Sequence, residues 1–304
     1  MTDTFEARVT ATFGRHLLVR DASGKELEAR PFGRGLTVVC GDSVRCRAGA
    51  HHDEIHVVEI IKRRTALYRS NVRGVTEPVV ANLSRLLVVL APIPVPDLFV
   101  VDRYLAAAES VGIAGLLIVN KTELGIDAEL AAQLEAFSAA GYRWFPCSVR
   151  TGEGIDAVLE VCAGQVAALV GQSGVGKSSL VDRLIPEAEV EVGDLVRDEE
   201  GRHTTTASRM FDLPRGGHLI DSPGVRDFAP AVDRLDGRSL GFVEVDRLAP
   251  QCRFNDCRHM REPGCAVRDA TESGGMSPRR YESYRRLRRL FEELTAARGP
   301  ERRR

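Results

Sequence analysis

The chain is 304 residues long, 43% hydrophobic, with a formal charge of −1 and seven cysteines. That length and apolar content suit two or three packed domains. No apolar run approaches the roughly 20 residues that span a bilayer, and Met1-Thr2-Asp3-Thr4-Phe5-Glu6 has no secretory pattern. A cytoplasmic monomer with no membrane partner is expected. The charge is uneven: residues 1–64 carry 11 basic and 9 acidic side chains, residues 65–240 carry 16 and 24, and residues 241–304 carry 15 and 10. The basic ends, rather than the acidic middle, are the expected contacts for a polyanion.

Residues 5–64 alternate short apolar runs with turns. The runs are Ala7–Ala11, His16–Arg20, Leu36–Cys40, Ser43–Cys46 and Glu54–Ile60, with turn signals at Ser23-Gly24-Lys25 and Gly41-Asp42-Ser43. Such spacing predicts a small closed barrel of the OB type over residues 1–64. Barrels of this kind bind RNA or single strands, although others are only spacers. Stacking residues are sparse here, with Phe5, Phe13 and Phe32 the aromatics.

From residue 84 to 240, strand and helix patterns alternate. Strands are expected at Leu86–Ala91, Leu116–Asn120, Trp144–Ser148, Val166–Val170 and His218–Asp221, and helices at Asp102–Ser110 and Asp127–Ala139. This predicts a mostly parallel sheet with helices on both faces, within a domain spanning 65–240. Residues 185–210 have little periodicity and read as a loop that a ligand could order. Residues 241–275 are turn-rich. Ser277-Pro278 then opens a helix, with Tyr281, Tyr284, Leu287, Phe291 and Leu294 on its apolar face. Arg279, Arg280, Arg285, Arg286 and Arg289 fall on the other face. Residues 241–304 form the third expected domain.

Within this frame, the run Val166 to Val170 feeds Gly171-Gln172-Ser173-Gly174-Val175-Gly176-Lys177-Ser178, with Ser179 and a helix through Leu184 after it. Polyphosphate charge must be met by many donors at close range. Glycines let backbone N–H groups wrap the phosphates, and the helix N-terminus adds its positive end. Lys177 would reach the β- and γ-phosphates, and the Ser178 hydroxyl would ligate Mg²⁺. Downstream, Asp221-Ser222-Pro223-Gly224 has the D-x-x-G pattern, in which the Asp holds Mg²⁺ through water and the Gly N–H senses the γ-phosphate. Between the two lie Thr204, Thr205 and Thr206; Thr205 is the expected threonine that closes over Mg²⁺, with Thr206 the second choice.

Upstream, Asn120-Lys121-Thr122-Glu123 is similar to the N-K-x-D motif by which GTPases read guanine. Asn120 would contact the base edge, Lys121 would cover the ring, and the acidic residue would accept from guanine N1–H and the 2-amino group. Glu123 stands where that motif has Asp, so its carboxylate lies one methylene further out. Cys147-Ser148-Val149-Arg150 is similar to the short loop whose backbone N–H reads guanine O6, with Ser148 at its start. Both segments precede the phosphate loop, whereas in an ordinary GTPase they follow it. A permuted chain can still build one sheet, because domain termini tend to lie close together.

Cys252, Cys257, His259 and Cys265 cluster in the turn-rich segment. Three thiolates and an imidazole fill a tetrahedral zinc, a closed and therefore structural site, and the metal would supply folding energy to a segment with little apolar content. Cys40, Cys46, Cys147 and Cys162 read as buried thiols.

Taken together, these motifs resemble the circularly permuted, small-ribosomal-subunit-dependent GTPases of the RsgA (YjeQ/YloQ) family. The likeness covers most of the chain, including Val101-Asp102-Arg103-Tyr104-Leu105 and Gly201–Thr206. It implies a circularly permuted α/β phosphate-loop GTPase domain flanked by an OB-type barrel and a zinc-binding helical module. It also implies GTP hydrolysis to GDP, stimulated by the small ribosomal subunit and its rRNA, in late subunit maturation. Val225 follows the D-x-x-G turn where many GTPases place a water-orienting Gln, so His203 is the expected water-positioning residue, in agreement with the resemblance. Two rivals are a phosphate-loop ATPase or kinase, and an RNA-binding protein with an inert G domain. Asn120-Lys121 argues against the first, and intact Lys177, Ser178 and Asp221 against the second.

Overall fold

Period-two burial in the first 60 residues closes a barrel. In this computed structural model, which describes residues 4–33, 35–49, 54–70, 76–185, 207–226 and 229–298, five strands run β1 (Thr4–Phe13), β2 (His16–Asp21), β3 (Glu26–Pro31), β4 (Ser43–Ala48) and β5 (Ile55–Ile60). They are ordered β1-β2-β3-β5-β4, and β4 returns to pair with β1. Pairing is antiparallel except between β3 and β5. Alternate residues Val9, Leu17, Val19, Ala29, Val44, Cys46 and Val57 fill the interior.

One expected strand is absent. Leu36–Cys40 is irregular, and the charge-rich β3 takes its place in the barrel. The cause is Asp42. Its buried carboxylate accepts from the Val39 N–H at 2.9 Å and from Arg63 Nε and Nη2 at 2.7 and 2.8 Å. A local side-chain bond of this kind competes with a ladder for the backbone.

After a hairpin, β6 (Ala66–Ser70) and β7 (Thr76–Ala81), comes the central sheet. Its strands β8 (Arg85–Leu90), β9 (Ala114–Val119), β10 (Trp144–Pro146), β11 (Val166–Gly171) and β13 (His218–Asp221) are parallel, and β12 (Ser208–Asp212) is antiparallel to β13. The order is β10-β9-β8-β11-β13-β12. The strands are apolar on both sides because both are covered. Leu86, Val88 and Leu90 face helices α1 (Leu98–Glu109) and α2 (Ala128–Ala140). Leu87 and Val89 face α3 (Ile155–Cys162) and α4 (Lys177–Leu184). The permuted elements therefore return to a single sheet, with β11 at its centre.

Barrel and sheet are continuous. Strand β1 pairs antiparallel with β12, aligning Ala11 with Arg209 and Thr12 with Ser208. Arg20 of the barrel bridges to Asp212 at 2.9 Å.

The C-terminal segment packs on α1. Leu240, Phe242, Val245, Val267, Met276, Tyr284 and Leu287 share a core with Ala106 and Ala107. The last helix, Pro278–Arg298, buries Tyr284 and Leu287 as its apolar pattern predicts. The expected basic face is another matter. Arg280 is only 1% exposed, and Arg288 is buried as well. Arg280 bonds Glu244 through Nε and Nη2 and Asp102 through Nη1, at 2.5, 2.6 and 2.6 Å, so it joins the module to α1 instead of facing solvent. Among the described residues, no helix is long and apolar enough to cross a membrane.

Candidate nucleotide site and metal centre

The phosphate loop sits where β11 passes into α4, and its glycines are required by geometry. Gly176 has φ of 91°, and a Cβ there would lie 2.4 Å from Asn120 Nδ2; at Gly171 it would lie 2.2 Å from the Val89 carbonyl oxygen. An L side chain is excluded at both. Lys177 is 8% exposed, and its Nζ donates to the carbonyls of Gly171 and Gln172 at 2.6 and 3.0 Å. Val175 is buried, while Ser173, Gly174, Ser178 and Ser179 are exposed on the open side of the loop. The Gln172 side chain accepts from the Asp97 N–H at 3.0 Å, which ties the loop to the start of α1.

The 120–123 segment, written some fifty positions earlier, packs directly on this loop. Asn120 Nδ2 donates to the Val175 carbonyl at 2.9 Å, and its Oδ1 accepts from the Val149 N–H at 3.2 Å. One buried amide thus joins the end of β9, the phosphate loop and the 147–152 loop. Lys121, at φ of 62°, donates to the carbonyls of Gly174 at 2.6 Å and Ile93 at 3.1 Å. Thr122 donates from its hydroxyl to the Cys147 carbonyl at 3.0 Å, and the buried Ser148 hydroxyl accepts from the Thr151 N–H at 3.1 Å. Glu123 is 13% exposed at its side chain and takes Arg150 Nε on Oε1 at 3.2 Å. Its Oε2 is buried without a hydrogen bond of normal geometry. The neighbouring Ser148 hydroxyl, and after it Arg150, hold this carboxyl below its ordinary range.

On the other side of the loop, Asp221 ends β13 and Gly224 lies in the short Pro223–Arg226 helical turn. Val225 is buried. Arg226, which the sequence reading does not single out, donates from Nε to Asp221 Oδ1 at 2.6 Å, pairs through Nη2 with Asp221 Oδ2, and donates from Nη1 to Ser178 Oγ at 2.9 Å. A charged residue directly behind the D-x-x-G turn is the signal that could have found it. His203, Thr204, Thr205 and Thr206 lie outside the described residues.

At the C-terminal module, the ligand atoms of Cys252, Cys257, His259 and Cys265 lie within 4.8 Å of one another. His259 Nδ1 is 3.4 Å from Cys252 Sγ and 3.5 Å from Cys265 Sγ. Bond lengths of about 2.3 Å to sulfur and about 2.0–2.1 Å to nitrogen give a tetrahedral S–N edge of about 3.5 Å, so the donors fit a metal ion. The loop around them is fixed from two sides. The hydroxyls of Tyr281 and Tyr284 donate to the carbonyls of His259 and Arg258 at 2.7 and 2.9 Å. The Glu262 carboxylate accepts backbone N–H bonds from Arg258, Met260 and Arg261 at 3.1, 2.9 and 2.9 Å. Burial pushes Glu262 up, but these backbone donors outweigh it and hold the carboxyl down to about 2.

The RsgA GTPase family model matches residues 60–230. The small ribosomal subunit biogenesis GTPase RsgA of Chromohalobacter salexigens is 41% identical over 289 residues, 92% of this chain and 84% of that protein. The chain belongs to the RsgA GTPase family. It is accordingly a hydrolase acting on GTP. The RsgA of Azotobacter vinelandii is 44% identical over 255 residues, 82% of this chain and 74% of that protein. Among solved structures, YjeQ from Thermotoga maritima has a TM-score of 0.72 at 23% identity, covering 98% of this chain and 100% of that one. YloQ, described as a circularly permuted GTPase, has a TM-score of 0.73 at 22% identity, covering 98% and 97%. Both share the RsgA fold seen here, permuted sheet included.

Proposed function

We propose that the chain binds GTP with Mg²⁺ across the phosphate loop, hydrolyses it slowly alone and faster on the small ribosomal subunit, and acts there in late maturation. The observation that carries this is the packing of Asn120 and Lys121 on Val175 and Gly174, which supports reading the 120–123 segment and the phosphate loop as parts of one nucleotide site. Asn120 and Glu123 read the base, with the 148–149 backbone beside them. Lys121 covers the ring. Gly171 to Ser179 wrap the phosphates, and Lys177 draws charge off the γ-phosphate as the bond to it breaks. Ser178 and Asp221, oxygen donors that share Arg226 as a partner, suit a hard divalent ion, and Thr205 completes that set. When bound, Mg²⁺ neutralises developing charge on the β- and γ-oxygens. Gly224 senses the γ-phosphate. Because Val225 cannot hydrogen-bond a water, His203 positions the nucleophile, and the subunit orders His203.

The barrel and the C-terminal module hold the rRNA, and the division 1–64, 65–240 and 241–304 follows these roles. Phe32 supports RNA contact: it is 56% exposed, with the Arg47 guanidinium 5.1 Å from its ring centroid, an arrangement that stacks on an unpaired base. The metal at Cys252, Cys257, His259 and Cys265 is a structural zinc. The protein works as a cytoplasmic monomer without a membrane partner.

Turnover of GTP and of ATP by the purified chain, with and without small ribosomal subunits, tests the reading. GTP hydrolysis should rise on the order of 10²-fold with subunits, as positioned proton-transfer help allows, and ATP hydrolysis should not. Equal turnover of both nucleotides, or no response to subunits, would overturn it. A His203→Ala protein that kept the full stimulation would remove His203 from its role.

For the zinc, Glu262→Ala leaves three backbone N–H groups without their acceptor next to His259. Metal affinity, read by chelator competition, should fall about 10–100-fold, as for other groups that orient ligands. The nucleotide affinity should be unchanged.

A further inference from the structure

The nucleotide site carries a cation of its own. Arg226 commits Nε and Nη2 to the Asp221 carboxylate and Nη1 to Ser178 Oγ. All three guanidinium nitrogens are thereby spent on the two side chains that the proposed function assigns to Mg²⁺. The pair is sheltered, with 27% of the Arg226 side chain and 23% of the Asp221 side chain exposed, and a planar fork on a carboxylate is the strong form of such a contact. A monocation and a dication that claim the same oxygens repel at these separations, so the two cannot hold Ser178 and Asp221 together.

We propose that Arg226 is a tethered competitor of Mg²⁺: the ion loads only by displacing the guanidinium from Ser178, and Arg226 thereby sets the Mg²⁺ concentration at which nucleotide is held tightly. This rests on Ser178 and Asp221 being the magnesium ligands. The backbone supports a side-chain movement rather than a loop movement. Val225 is buried beneath the turn, and the N–H groups of Val225 and Arg226 both donate to the Ser222 carbonyl at 2.9 Å. The anchor of Arg226 is thus fixed while its guanidinium is half-sheltered at the surface. The other cation of the loop, Lys177, is directed at the Gly171 and Gln172 carbonyls and does not reproduce this bridge. Competition of this kind gives the site a built-in bias. At low Mg²⁺ the arginine screens Asp221 from the phosphates, and at high Mg²⁺ it is turned out towards them.

The test is a Mg²⁺ titration of fluorescent GDP binding to the full chain at constant ionic strength. Wild type is compared with Arg226→Ala and with Arg226→Gln, which keeps a polar donor on a shorter side chain without the charge. The half-saturating Mg²⁺ concentration should fall about fivefold or more in both variants, the usual range of coupling between two sites being about 5–150-fold. General damage to the fold would move it the other way. As a second reading, Mg²⁺ alone should raise the melting temperature of each nucleotide-free variant more than that of wild type. Variants that titrate at the wild-type Mg²⁺ concentration, or above it, would overturn the proposal. If the Ala variant does not fold, the Gln variant decides. Wild-type GDP binding that ignores Mg²⁺ altogether would instead strike the assignment of Ser178 and Asp221 themselves, and the proposal with it.

Discussion

Lys177→Ala should lower kcat for GTP hydrolysis on the order of 10²–10³-fold, about 2.7–4 kcal/mol of barrier, as loss of one preorganised donor does elsewhere. The argument is one of position and environment. The ammonium is nearly buried and held at 2.6 and 3.0 Å by two carbonyls of the loop it serves, so it can exchange those oxygens for phosphate oxygens without backbone movement. Sheltered from water, its charge acts at low effective dielectric, where it is worth most. Lys177→Arg should not rescue: a guanidinium is larger and its fork does not fit a two-carbonyl seat. Single-turnover hydrolysis at saturating GTP, with and without subunits, is the measurement. A variant that kept a tenth or more of wild-type kcat would remove Lys177 from the chemistry.

The second large effect lies at the junction of the C-terminal module with α1. Arg280→Ala should destabilise the protein by about 3–5 kcal/mol, the cost of stripping one partner from a buried ion network. Its guanidinium carbon is 5.2 Å from the ring centroids of Phe137, Tyr142 and Phe242. Its nitrogens satisfy Asp102 and Glu244, and Arg279 Nη1 reaches the second Asp102 oxygen at 2.5 Å. Burial pushes the Asp102 carboxyl up, against the pull of Arg280 and Arg279. Without Arg280, two carboxylates and a cavity remain under the C-terminal helix. Thermal unfolding should show a midpoint lower by roughly 6–20 °C, at the 2–4 °C per kcal/mol usual for large domains. Arg289→Ala, on the exposed side of the same helix, should change stability by no more than ~0.5 kcal/mol. Equal effects of the two substitutions would rule out the network as the clamp.

These two residues also mark what could and could not be read from the sequence. Lys177 was legible because a backbone cradle needs glycines and a lysine at fixed intervals along one stretch of chain, and the same holds for Asn120 to Glu123 and for the Cys/His cluster. Arg280 was not. Its partners lie at Asp102 and Glu244, far away in the chain, and a helical-face argument sends any arginine opposite the apolar stripe into solvent. Local side-chain bonding hid in the same way. Leu36–Cys40 has the composition of a strand, and only the buried Asp42 with Arg63 shows why it is not one. Arg226 escaped because no motif template extends to it.

Strand β12 has a consequence for the proposed coupling of RNA and nucleotide. It leaves the threonine segment, lies along barrel strand β1, and turns back into β13, which ends at Asp221. The barrel is therefore hydrogen-bonded to the strand that leads through β13 to Asp221. If the barrel holds RNA as proposed, a displacement of β12 on GTP hydrolysis would pass to the barrel, and strain on the barrel would pass to Asp221. Reciprocity then fixes the sign: if GTP tightens the hold on RNA, RNA tightens the hold on GTP by the same factor.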